Sequence, residues 1–127
     1  MMLFVSILLS FQIAKAQNAE EIFEDIKNNK IKVIFHGMGT EPFWDVFIIE
    51  NGVVYGNEST EEYEYFKYEG MFDKNKYSQV FKLKRNDGEL INLQIIKKTS
   101  SDGMSEIKYP YTVTINDLMG CGELGDK

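Results

Sequence analysis

The sequence predicts an all-β protein: a small antiparallel β-barrel of about seven or eight strands behind a short N-terminal helix. Three observations carry this. From Lys30 onward most of the chain alternates apolar and polar side chains with period two. The alternating runs are short and are separated by turn signals such as Asn51-Gly52 and Asn86-Asp87-Gly88. Aromatic residues reach 13%, and flat, bulky side chains suit a pleated surface better than a helix. A barrel is favoured because nearly every run has one large apolar face, and closure removes exposed edges.

The chain has 127 residues, enough for one domain. Its formal net charge of −6 disfavours nucleic acid, since neutralising phosphates needs a basic face. The acidic balance suits a cationic partner, such as a cationic envelope protein or lysozyme. Residues 1–16 read as an export signal: an apolar run to Ile13, then Ala14-Lys15-Ala16 in the small-x-small form, with cleavage before Gln17. That run is too short to span a bilayer. No basic residue precedes it, so either the α-amino group supplies the charge or translation starts upstream. The expected product is a single barrel domain, 17–127, in the periplasm or the medium. It is expected to be monomeric, without a transmembrane segment and without a lipid anchor on its first residue. Cys121 is the sole cysteine, so no intramolecular disulfide can form.

In order, Asn18 to Asn29 predicts a helix. Ile22, Phe23 and Ile26 form its apolar stripe, and Glu20 and Glu21 sit where the helix dipole favours them. Ile31, Val33 and Phe35 alternate with Lys32, Ile34 and His36 in a first strand, which Gly37-Met38-Gly39 is expected to break. Phe43 to Glu50 is apolar on both sides and should be a central strand. Asn51-Gly52 turns the chain into Val53-Val54-Tyr55. Further strands are expected at Glu61–Glu69, Tyr77–Lys84, Leu90–Lys98 and Ile107–Asn116, the last with Tyr109, Tyr111, Val113 and Ile115 on one face. Thr99–Ser105 reads as a polar loop. Leu118–Cys121 reads as a short final strand, with Glu123–Lys127 as a frayed tail.

The chemistry-bearing residues are few. His36 is the only histidine, and no Gly-x-Ser-x-Gly accompanies it, so no nucleophile–base pair is legible. One His and one Cys do not make a zinc framework. Asp73-Lys74-Asn75 and Asn86-Asp87-Gly88 are too short for a calcium loop and read as turns. No catalytic residue, metal or cofactor is expected. Two stretches stand out instead. Gly39-Thr40-Glu41-Pro42-Phe43-Trp44 holds the only Trp and a carboxylate that Pro42 keeps extended. Trp44 should fill the barrel or plug one end, or else floor a pocket. Asp102-Gly103-Met104-Ser105, followed by Tyr109-Pro110-Tyr111, reads as a turn before a strand that Pro110 places at an edge or bulge. Any binding surface is expected near Glu41, Trp44, Asp102, Met104, Ser105 and Tyr109.

These two stretches, with Gly120-Cys121, resemble a family of bacterial envelope lipoproteins and membrane proteins without an assigned activity. Some of its members are fused to META domains or to C-type-lysozyme-inhibitor-like domains. The likeness runs from Phe35 to Cys121. It implies an envelope location but no reaction. Members carry a Cys just before Asp-Gly-Met-Ser that pairs with the Cys of the final Gly-Cys; here that position is Ser100, and the pairing is lost. The leading expectation is therefore an exported, non-catalytic envelope protein that binds or supports. The alternatives are an inhibitor of a cell-wall hydrolase, a carrier of a small apolar ligand inside the barrel, and a hydrolase using Glu41 and Asp102.

Overall fold

The structure, a computed structural model, describes residues 18–40, 42–57, 62–68, 70–103 and 106–125. The order is α1 (Asn18–Lys27), β1 (Val33–Thr40), β2 (Phe43–Ile49), β3 (Gly52–Asn57), β4 (Glu62–Lys67), β5 (Ser78–Lys84), β6 (Leu90–Ile96), β7 (Ser100–Ser101), β8 (Lys108–Tyr109), β9 (Tyr111–Ile115) and β10 (Leu118–Leu124). Eight strands form one antiparallel sheet in the order β4-β3-β2-β1-β10-β9-β6-β5; β7 and β8 form a separate pair. The sheet is a nearly closed barrel made of two meanders, β1 to β4 and β5-β6-β9-β10. They join where β1 pairs with β10.

The alternation read from the sequence builds the wall. Trp44, Val46 and Ile48 of β2, Phe81 and Leu83 of β5, Ile91, Leu93 and Ile95 of β6, and Tyr111, Val113 and Ile115 of β9 all point inward into one cluster. Among the described residues no polar or charged side chain other than tyrosine and tryptophan is buried. The other face of β2 and β3 is covered too. α1 lays Phe23 and Ile26 onto Ile49 and Val54, and Phe23 stacks on Tyr63 of β4 with centroids 4.2 Å apart. That is why Phe43–Ile49 is apolar on both sides. Glu20 and Glu21 in the first turn and Lys27 in the last complement the helix dipole. Asn29, at φ 58°, turns the chain out of the helix.

Several boundaries differ from the expectation, each for a local reason. Gly37 and Gly39 do not break β1 but lie within it. The strand takes two glycines because large side chains from neighbouring strands cross over them. A register shift between Val33 and Phe35 is a β-bulge. It splits the expected apolar face: Val33 packs outward with the helix cluster, while Ile34 and Phe35 turn to the barrel core. The first hairpin loop is Glu50-Asn51 rather than Asn51-Gly52, since Ile49 pairs with Gly52 and Asn51 takes the left-handed conformation at φ 66°. Ser100–Ser101, expected in a loop, pairs with Lys108–Tyr109. Pro110 separates β8 from β9, so Tyr109 leaves the face shared by Tyr111, Val113 and Ile115. The last strand runs to Leu124 and is central, so Glu123 and Leu124 are not a frayed tail.

Trp44 is 1% exposed. It stands opposite Gly39. A Cβ on Gly39 would come within 2.1 Å of its Nε1, and one on Gly120 within 2.8 Å of its Cζ2. The indole therefore lies across both backbones. Its Nε1–H has no hydrogen-bond partner, a cost of about 1–3 kcal/mol. Burying a ring system of this size contributes about 4–6 kcal/mol, at about 25 cal/mol per Å². Burial wins, and the unpaired donor is tolerated.

The barrel's open seam lies between the edge strands β4 and β5. Side chains bridge it where backbone does not. Arg85, just after β5, grips Glu64 of β4 with two bonds of 2.8 Å, and Tyr68 packs edge-on against Phe81 at 5.3 Å. Glu64 raises the Arg85 pKa still further above its ordinary value.

Two outcomes follow for stability. Gly120→Ala places a methyl 2.0 Å from the Met38 carbonyl oxygen, which cannot swing away, so the urea midpoint should fall by the equivalent of about 1–3 kcal/mol, with altered Trp44 emission. Arg85→Ala should cost about 1 kcal/mol at low ionic strength and less in high salt, because the bridge is only half-buried.

Candidate functional site

The two stretches singled out in the sequence meet at one end of the barrel. Thr40, the last residue of β1, donates its hydroxyl to the Asp102 carbonyl at 3.2 Å. This contact spans 62 positions of sequence and ties the backbone at Asp102 to the end of β1. Gly103 takes φ 78°, and its N–H bonds the Ser101 hydroxyl at 3.1 Å. The positive φ is the one an Asp-Gly turn asks of its glycine, and a serine hydroxyl is the acceptor. Ser100 donates to the Tyr111 carbonyl at 2.6 Å, and Thr112 donates to the Lys98 carbonyl at 3.0 Å. Side-chain hydroxyls thus fasten the β7–β8 hairpin at its base.

The hairpin covers the outer face of β10 at Cys121, which is fully buried and free. Burial pushes its thiol pKa up, and the charges of Asp102 and Glu123 push the same way; the Ser100 hydroxyl, within hydrogen-bonding reach of the sulfur, partly opposes them. Cys121 is therefore a protonated, shielded thiol at neutral pH. Ser100 sits directly against it.

Of the residues expected to bind, Asp102 and Tyr109 lie in or beside this hairpin and are half-buried. Trp44 belongs to the same stretch, but its side chain faces the interior beneath Gly39 and Gly120. Glu41, Met104 and Ser105 lie outside the described residues. The sequence reading passed over Phe43, which faces outward at 48% exposure, and Met119 at 73%. Phe43 pairs with Thr40. The Met38–Cys121 register, continued by two residues, sets Met119 on the other side of Thr40. Phe43 and Met119 therefore flank Thr40, to which the Asp102 carbonyl is bonded. Phe43 belongs to the first of the two stretches, and its outward face follows from alternation with Trp44; Met119 is located only by the strand register.

His36 is also on the outer wall. Its Nε2 bonds Asp45 Oδ1 at 2.7 Å, and its ring stacks on Phe47 with centroids 4.4 Å apart and planes 9° apart. The His36–Asp45 pair ties β1 to β2. Among the described residues no three His, Cys, Asp or Glu side chains gather as a metal ion would require. None of the described helices is long and apolar enough to cross a membrane.

The proximity of Ser100 and Cys121 makes a specific prediction. Ser100→Cys should form a disulfide under oxidising conditions, read as loss of titratable thiol in denaturant. The bond should add about 2–4 kcal/mol against about 1 kcal/mol lost with the Ser100–Tyr111 hydrogen bond, so oxidised variant should outlast wild type in urea.

Comparison of this chain with protein-family models, with curated proteins and with solved structures found no match.

Proposed function

We propose that this is an exported, non-catalytic binding protein of the bacterial cell envelope, which meets a protein partner through the 102–107 loop. The observation that supports it best is the anchoring of that loop by the Thr40–Asp102 and Ser100–Tyr111 bonds. The backbone at Ser100 and Asp102, held this way, has little freedom left to lose on binding. Phe43, Met119 and Ile107 supply exposed apolar contact area around it. The export leader read at 1–16 and the motif resemblance support the envelope location. Expression of the full chain in a bacterium, followed by intact-mass measurement of the shock-released fraction, tests the export arm. The expected product begins at Gln17; a cytosolic product retaining residues 1–16 would overturn it.

A second reading, inhibition of a cell-wall hydrolase, is favoured by the distribution of charge. Residues 17–70 carry 12 acidic against 4 basic side chains, a net of −8, whereas 71–127 carry 8 acidic against 9 basic, a net of +1. An acidic half-molecule attracts strongly cationic enzymes such as lysozyme. Lysozyme turnover should then fall on adding micromolar mature protein, and unchanged turnover would remove this reading. The carrier reading has less support: the barrel interior is occupied by Trp44, Phe35 and the inward rows of six strands.

A further inference from the structure

We propose that a groove at the other end of the barrel binds a small amphiphilic carboxylate, a free fatty acid of medium chain length. β1 begins at this end and finishes at the motif loop, so the two features are a strand length apart. The groove has a volume of about 640 Å³, within the range of small-molecule sites. Its floor is apolar. Ile34 at the start of β1 and Leu124 at the end of β10 are only partly covered by the core they pack against. Phe72 closes the barrel above them, with its ring 5.0 Å from Phe35 and 6.2 Å from Tyr111. Met71 lines the mouth and is 88% exposed, an unbranched, adaptable side chain able to lie against an acyl chain.

The rim has the opposite character. Lys32, Lys74 and Lys76 line the same groove in a protein whose net charge is −6. Among the described residues neither Lys74 nor Lys76 is ion-paired. The one acid in the lining, Asp73, already accepts a hydrogen bond from the Asn75 N–H at 2.9 Å. The groove thus offers an apolar trough with a net positive edge, which complements one anionic head on one hydrocarbon tail. A neutral lipid would leave Lys74 and Lys76 unused. A cationic amphiphile would meet repulsion.

The wall is also built in advance. Gln79 clasps Asp73 from both sides: its Oε1 accepts the Asp73 N–H at 3.0 Å, and its Nε2 donates to the Asp73 carbonyl at 2.9 Å. Lys97 adds a bond from its ammonium to the Lys74 carbonyl at 3.3 Å. Little ordering is therefore left for the ligand to impose.

This inference goes beyond the proposed function and does not depend on it. The test is titration of decanoate, decanol and decyltrimethylammonium into the 17–127 chain at low salt, below micelle formation, followed by amide NMR shifts. Decanoate should saturate, with shifts centred on residues 32–34, 71–76 and 124. Decanol should bind about tenfold more weakly, and the ammonium compound not at all. The Lys74→Ala/Lys76→Ala double variant replaces exposed side chains and should keep the wild-type amide spectrum elsewhere. It should lose about tenfold in decanoate affinity while its decanol affinity stays the same. Absence of saturation, shifts centred elsewhere, equal binding of decanol, or a double variant that binds decanoate like wild type would each overturn the proposal. None of those results would touch export or hydrolase inhibition.

Discussion

The barrel depends on one close approach, in which the Trp44 indole lies across the backbones of Gly39 and Gly120. β1 and β10 are the strands through which the two meanders join. At that junction the wall is thinned to glycine, and Gly37 pairs directly with Gly122. Without Cβ atoms the two strands let Trp44, Phe35 and Val113 reach over them and fill the centre. An eight-stranded barrel has an interior only wide enough for side chains. One very large residue then requires very small ones opposite it. The same geometry explains why the indole N–H goes unpaired: the groups beside it are glycine backbones whose polar atoms lie in the sheet plane and are engaged there.

Much of this architecture was legible from period-two alternation. β2, β5, β6 and β9 face as their apolar rows require, because a half-buried strand has no other low-energy register. What could not be read were features that depend on partners distant in sequence. Gly37 and Gly39 look like a strand break locally, and only the indole arriving from β2 shows why they continue the strand. The bulge at Ile34 shifts the face by one residue, which no alternation rule anticipates. β10 has two glycines among its seven residues, and its central place follows from pairing with β1. At the motif end, the two stretches were identifiable by composition, but their meeting through Thr40 and Asp102 was not. Lys32, Lys74 and Lys76 come from two segments that converge only at the barrel end.

Electrostatics and closure are linked at the seam. The acidic half of the chain supplies β4, and the mildly basic half supplies β5. The Glu64–Arg85 pair is where the two halves face each other across strands that share no backbone bonds. Opposite charge at two unpaired edges draws them together, and the bidentate geometry sets their spacing. An exposed edge is also a template for pairing with other chains. Lys82 and Lys84 on β5 and Glu62 on β4, all exposed, discourage that.

The pairing of the first strand with the last has a consequence for biosynthesis. Neither meander is finished without the other, since β10 is also the strand on which β7 and β8 rest. A chain emerging residue by residue therefore has no stable stopping point until its final strand is available, and the long separation of β1 from β10 makes that last step slow. Such a polypeptide stays open for as long as it is being made and closes in a late step.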